Sequence, residues 1–129
     1  MAEFDPLRKF SFEKLEVYKE ARTLVKEIYL LQMRFPNEER YALGDQIRRS
    51  SSSIISNIAE GSGRNSVKEK IHFIEIAFGS MTESFSQLQL AQDLGYIQES
   101  DIDMIRPLFS KVAALLSLLK KSFEQKIPQ

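Results

Sequence analysis

The chain has no cysteine, a single histidine and no surplus of either charge: 18 Lys and Arg balance 18 Asp and Glu over 129 residues. Each absence removes a class of function. Without cysteine there is no disulfide framework, no thiolate metal site and no cysteine nucleophile. The same absence fits a reducing compartment, so a cytoplasmic location is the expectation. Glu69-Lys70-Ile71-His72 has the E-x-x-H spacing of carboxylate-bridged di-iron bundles, but that site needs two such motifs and two further inward glutamates. A second histidine does not exist, and His72 reads as an exposed helical residue. The neutral balance lacks the basic excess usual in nucleic-acid-binding domains. No apolar run approaches the roughly 20 residues that span a bilayer. The opening MAEFDPLRKFSFEK has neither the apolar stretch nor the cleavage site of a signal peptide. The expectation is therefore a soluble protein with no membrane partner.

What the chain does have is helical periodicity from end to end, with no strand pattern. Hydrophobic residues at 43% and charged residues at 28% are globular values. One domain, residues 1–129, is the expectation, with helices at about 11–35, 38–61, 66–94 and 100–123. Ser11 is the expected N-cap of the first helix, and Pro36 its stop. Asn37 with Glu38 and Glu39 makes an N-terminal signature for the second, and Gly61 its end. Ser66-Val67-Lys68-Glu69 reads as a capping box for the third, whose core face would carry Ile71, Ile74, Phe78, Met81, Phe85 and Leu88. Gly79 in its interior implies a packing reason, and Gly95 is its natural left-handed terminus. Ser100 and Asp103 open the fourth, where Pro107 should kink or delay the helix. Amphipathic helices with short links make an all-α, antiparallel up-down-up-down four-helix bundle.

The second helix is unusual. Leu43, Ile47, Ser50, Ser51, Ile54 and Ile58 share one face, and beside them Gln46, Arg49, Ser53, Asn57 and Glu60 form a polar stripe at the same spacing. Four consecutive serines, Ser50 to Ser53, keep the phase of the isoleucines around them, so they are helical and permit a close-packed seam. If the helices fold back at the Gly61-Ser62-Gly63 turn, Gln46 falls opposite Ser80, Leu43 opposite Glu83 and Asn57 opposite Glu69. No nucleophile, base or metal set converges on this stripe, so no catalytic, cofactor-binding or metal-binding residue is assigned and no cofactor is expected. Gly61-Ser62-Gly63-Arg64 lacks the Lys-Ser/Thr and the preceding strand of a phosphate loop. The stripe, with Ser80 and Glu83, reads as a structural hydrogen-bond seam.

Two sets of residues are left over. Phe73 and Ile76 lie roughly opposite the expected core stripe of the third helix and suggest a subunit interface. Arg48, Arg49, Arg64, Lys68 and Lys70 are expected near the turn between the second and third helices, where they could contact RNA or DNA. A solvated helix end, its charge offset by Asp45, Glu60 and Glu69, is the alternative. A protein-interaction scaffold with no nucleic-acid role is the competing function.

Gln46-Ile47-Arg48-Arg49, Ser53-Ile54 and Asn57-Ile58-Ala59-Glu60-Gly61 resemble a known bacterial family. It comprises four-helix-bundle proteins encoded in intervening sequences of large-subunit ribosomal RNA genes, also described as ribosomal-protein-like. Ala77, Gly79-Ser80 and Glu83, the entry Phe12-x-Lys14-Leu15-x-Val17-Tyr18 and the corner Leu94-Gly95-Tyr96-Ile97 are similar to it as well. Ser50 and Ser52 depart from it, standing where small or branched apolar residues are more common. The resemblance implies a homo-oligomeric ring, with a pentamer favoured. It also implies kinship with the accessory protein of diversity-generating retroelements, a basic pentamer that engages a reverse transcriptase and nucleic acid.

Overall fold

The computed structural model describes residues 3–128. Those residues form four α-helices, α1 (Glu16–Gln32), α2 (Leu43–Ser62), α3 (Val67–Asp93) and α4 (Glu99–Glu124), with two short 3-10 turns at Ser11–Lys14 and Asn37–Glu39 and no strand. Each helix packs on two neighbours, α1 on α2 and α4, α3 on α2 and α4, while the diagonal pairs stay apart. Short links between successive helices make those neighbours antiparallel, giving the four-helix bundle. The core is the inner stripe of all four. Leu24 and Ile28 of α1, Ile47 and Ile54 of α2, Leu88 of α3 and Leu116 of α4 are fully buried, each burial contributing about 1.5–3 kcal/mol.

Several helix ends differ from their sequence-based positions, each for a local reason. Ser11 does not cap α1. The Glu13 carboxylate accepts the Phe10 N–H at 2.6 Å, which closes a separate turn, and extended Leu15 (φ −74°, ψ 129°) breaks the chain before Glu16. α1 stops at Gln32 rather than at Phe35. Arg34 and Phe35 instead donate to Leu31 and Gln32 at 3.0 and 2.9 Å, and this tighter i→i−3 winding turns the buried Phe35 ring under the bundle, 5.6 Å from the Tyr96 ring. Asn37 starts the second 3-10 turn instead of α2. That turn folds tightly onto α2, because a Cβ on Gly44 would sit 2.8 Å from the Glu39 carbonyl oxygen. α4 begins at Glu99, not Ser100, because Asp101 takes the Gln98 N–H at 2.8 Å. It then runs unbroken through Pro107.

The expected core phase of α3 also shifts. Its buried residues are Ile71, Ile74, Ala77, Met81, Ser84, Leu88 and Ala91. Phe78 turns outward at 38% exposure, and Phe85 is half-buried, edge-on to Phe109 at 5.0 Å. Small side chains at 77, 84 and 91 face inward because α2 lies so close. Gly61 marks the tightest point: a Cβ there would come within 2.7 Å of the Phe73 Cβ. Gly61 thus lies inside α2, which ends one residue later, and serves close approach rather than termination. Beyond its chain neighbours and its own helix backbone, no described atom lies within 4 Å of where a Gly79 Cβ would be, so the packing neighbour expected for it is not found among the described residues. Gly95 takes the left-handed conformation at φ +80°, and Tyr96 N–H reaches back to the Ala91 carbonyl at 2.9 Å, a Schellman ending.

One ion pair ties the end of α1 to the start of α4. Arg34 Nη1 donates to Asp101 Oδ1 at 2.8 Å. The hydrogen bond from Arg34, followed by that from the Gln98 N–H, holds the Asp101 carboxyl below its ordinary range. A carboxylate with a depressed folded-state pKa stabilises the fold fully above its unfolded pKa, and loses that contribution as pH falls through the folded value. Asp101→Asn should therefore lower stability in urea unfolding at about pH 7, and the gap from wild type should close by about pH 2.

Candidate functional site

The α2–α3 face is the most extensive helix pairing in the molecule, and it carries a ladder of hydroxyl groups. Ser50 Oγ donates to Gln87 Oε1 at 2.6 Å and lies 2.9 Å from Ser84 Oγ. With the Ser50 proton committed to Gln87, Ser84 becomes the donor to Ser50, and its contact with the Ser80 carbonyl at 2.9 Å shares that proton. One turn further, Ser53 Oγ meets Ser80 Oγ at 2.9 Å. Asn57 Nδ2 donates to Ser53 Oγ and to the Ser53 carbonyl, both at 2.8 Å. Ser51, fully buried, bonds back to the Ile47 carbonyl at 2.7 Å. Buried hydroxyls must be paired to avoid a desolvation cost of about 1–3 kcal/mol each, and here all of them are.

The seam is narrower than its sequence outline. Ser53, Asn57 and Ser80 belong to it. Gln46, Arg49, Glu60 and Glu83 do not: all four are exposed. Arg49 pairs with Asp45 at 3.1 Å, and Glu60 with Arg64 at 2.6 Å. The pairing of Ser53 with Ser80 and of Gly61 with Phe73 shows why. The helices fold back near Ser66 and Val67, because α2 continues through Gly61 to Ser62. Gln46 therefore faces the level of Leu88, about two turns beyond Ser80. Ser84 and Gln87 were missed. Their signal was a serine in step with Ile74, Met81 and Leu88, followed at i+3 by an amide.

The cations do not gather. Arg48 and Arg49 sit near the start of α2, about 20 Å along the helix from the α2–α3 turn at 1.5 Å per residue. Arg48 Nη2 is bound to the Arg40 carbonyl at 2.6 Å. At the turn, Arg64 pairs with Glu60 and lies 4.6 Å over the Phe73 ring. Lys70 Nζ donates to the Ser62 carbonyl at 2.9 Å, while Lys68 points to solvent. Phe73, assigned to a subunit interface, is half-buried within the chain by Gly61 and Arg64, whereas Ile76 is exposed. His72 is exposed. Among the described residues no three His, Cys, Asp or Glu side chains converge to hold a metal ion, and no helix is long and apolar enough to cross a membrane.

Apolar grooves remain open on the outside of the described residues: one of about 240 Å³ between the start of α1 and the end of α4, over Leu15, Val17, Leu115 and Leu118, and two larger ones. One, of about 360 Å³, runs between the second half of α1 and the first half of α4, over Leu30, Leu31, Met104 and Leu108. The other lies between α3 and α4, with a part of about 400 Å³ at Phe78, Gly79 and Leu116 and a shallower part at Phe85 and Arg106.

The sequence matches the model of the 23S rRNA-intervening sequence protein family over residues 13–118. The chain belongs to that family. Among solved structures, this intervening-sequence protein is similar to a protein of unknown function from the S23 ribosomal protein family of Bacteroides thetaiotaomicron. The two share 25% identity with a TM-score of 0.74, over 81% of this chain and 95% of the other. No curated protein matches it.

The seam makes Asn57 a structural residue. Asn57→Leu removes a donor that bridges two acceptors of Ser53, and should cost about 1 kcal/mol in chemical denaturation. An unchanged midpoint would remove Asn57 from the seam.

Proposed function

We propose that this family member is a non-enzymatic, cytoplasmic helical scaffold that works as a homo-oligomer and presents its surface to a protein partner. The observation that carries this reading is the apolar surface left open along the grooves. Leu30 and Met104 are 47% and 79% exposed at the rim of one, and Phe78 is 38% exposed beside the bare Gly79 backbone of another. Isolated exposed apolar residues are ordinary, but contiguous ones beside a groove mark contact surfaces. A backbone with no side chain, open to solvent in mid-helix, suits close approach by another chain. Five copies is the number that the family resemblance implies, and a ring is the closed form of a repeated head-to-tail contact.

Nucleic-acid binding at the α2–α3 turn is the weaker reading. Arg64 and Lys70 already have partners within the chain, and Arg48 and Arg49 lie far off, leaving Lys68, of the five, as the outward cation at the turn. Counterion release by so few phosphate contacts gives little affinity at moderate salt.

Light scattering at micromolar concentration should show one species at about five times the 14.9 kDa chain mass. A clean monomer would overturn the proposal. Electrophoretic shift with single- and double-stranded RNA and DNA at low salt should show no complex. A salt-sensitive complex lost in Lys68→Glu would favour the nucleic-acid reading instead.

A further inference from the structure

The segment before α1 has an unusual character for a bundle terminus. Phe4, Leu7 and Phe10, three residues apart, are 91%, 87% and 69% exposed. They are held in a defined shape. Asp5 and Pro6 form a turn, with Leu7 N–H on Asp5 Oδ1 at 2.9 Å and Arg8 N–H on the Asp5 carbonyl at 3.2 Å. Phe10 is anchored to the bundle through its N–H on Glu13 and its stack on Phe12. The arm thus offers three bare apolar side chains, with the exposed cations Arg8 and Lys9 set between two of them.

The α1–α4 groove offers the complement. Its floor is Leu31, Ile105 and Leu108, Leu30 and Met104 form its rim, and Glu27 stands on its wall. Glu27 is half-buried and makes no ion pair among the described residues. Arg34 and Asp101 also line this groove but neutralise each other as an ion pair at 2.8 Å, which leaves Glu27 as its uncompensated charge among the described residues. The α3–α4 groove is the poorer match, since Arg106 lines it uncompensated and Lys120 stands at its other end beside Glu75. The arm does not fill the groove of its own chain. Leu7 reaches no more than about 11 Å from the anchored Phe10 while Leu30 lies about 21 Å up α1 from Glu16, and Phe4, with the longer reach, stands 91% exposed rather than in the groove. The arm precedes α1 and the groove lies along its second half, so their pairing between copies is a head-to-tail contact, which forms a ring where the rotation between copies closes.

We propose that the arm Phe4–Phe10 of one copy occupies the α1–α4 groove of the next, with Phe4 and Leu7 on the apolar floor and Arg8 and Lys9 facing Glu27. The inference rests on the oligomeric reading above and names its contact. Burying anchors of this size at the centre of a small interface concentrates the binding energy in them.

The test is sedimentation equilibrium of the full chain beside Phe4→Ser/Leu7→Ser, Glu27→Lys, and Glu27→Lys combined with Arg8→Glu/Lys9→Glu. The arm variant should dissociate at least about tenfold more readily than wild type at an unchanged helix content by circular dichroism, because the arm does not pack on its own bundle. Glu27→Lys should weaken assembly, and reversing Arg8 and Lys9 with it should restore assembly. A wild-type oligomer that the arm variant leaves equally tight would overturn this inference while leaving the oligomeric scaffold intact. A monomeric wild type would overturn both.

Discussion

The distance between α2 and α3 constrains the rest of this bundle. Gly61 admits the Phe73 Cβ where no side chain could stand, and serines rather than larger residues fill the facing positions above it. Two helices brought this close cannot carry Leu or Phe at every inward step. Ser50, Ser51, Ser84 and Ala77 are therefore buried where a wider bundle would place bulk. The cost is a set of hydroxyls withdrawn from water, offset by bonding them to one another and to helix carbonyls. That polar ladder differs from a hydrophobic zipper in one respect. Hydroxyl pairs specify register by distance and angle, whereas apolar contact tolerates sliding.

The remaining architecture follows from that approach. Because small residues of α3 face α2, its aromatic residues turn aside: Phe85 onto Phe109 of α4, Phe73 beneath Arg64, and Phe78 out to solvent. The bulk missing from the α2–α3 side is supplied by α1 and α4, through Leu24, Ile28, Phe109, Val112 and Leu116. The same rotation leaves shallow apolar grooves on either flank of α4. Exposed apolar groups here are a by-product of a tight seam before they are anything functional.

Much of this was legible in the sequence. The helix count and all-α class follow from a 3.6-residue period that runs through every segment, and the family from the Asn57-to-Gly61 run with its Gly79-Ser80 partner. The serine run was recognisable as helical and close-packed because isoleucines held the phase on both sides. The seam membership was not. It depends on where two helices fold back, and reading Gly61 as a terminator moved that point by about one turn, enough to pair Gln46 with Ser80. Glycine that ends a helix and glycine that lets another helix approach look identical in one sequence. The cations failed for a related reason: proximity in the list of residues hid a separation along the helix axis, and Arg64, Lys70 and Arg48 each found partners that periodicity does not reveal.

A double-mutant cycle on Ser50 and Ser84 tests the hydroxyl ladder most directly. Ser50→Ala, Ser84→Ala and the double variant would be compared by chemical denaturation. Two groups sharing one hydrogen bond should show a coupling of about 1 kcal/mol, so that the double variant loses clearly less than the two single losses combined. Losses that add to within about 0.3 kcal/mol would mean that the two hydroxyls do not act together, and the close approach of α2 and α3 would then rest on shape alone.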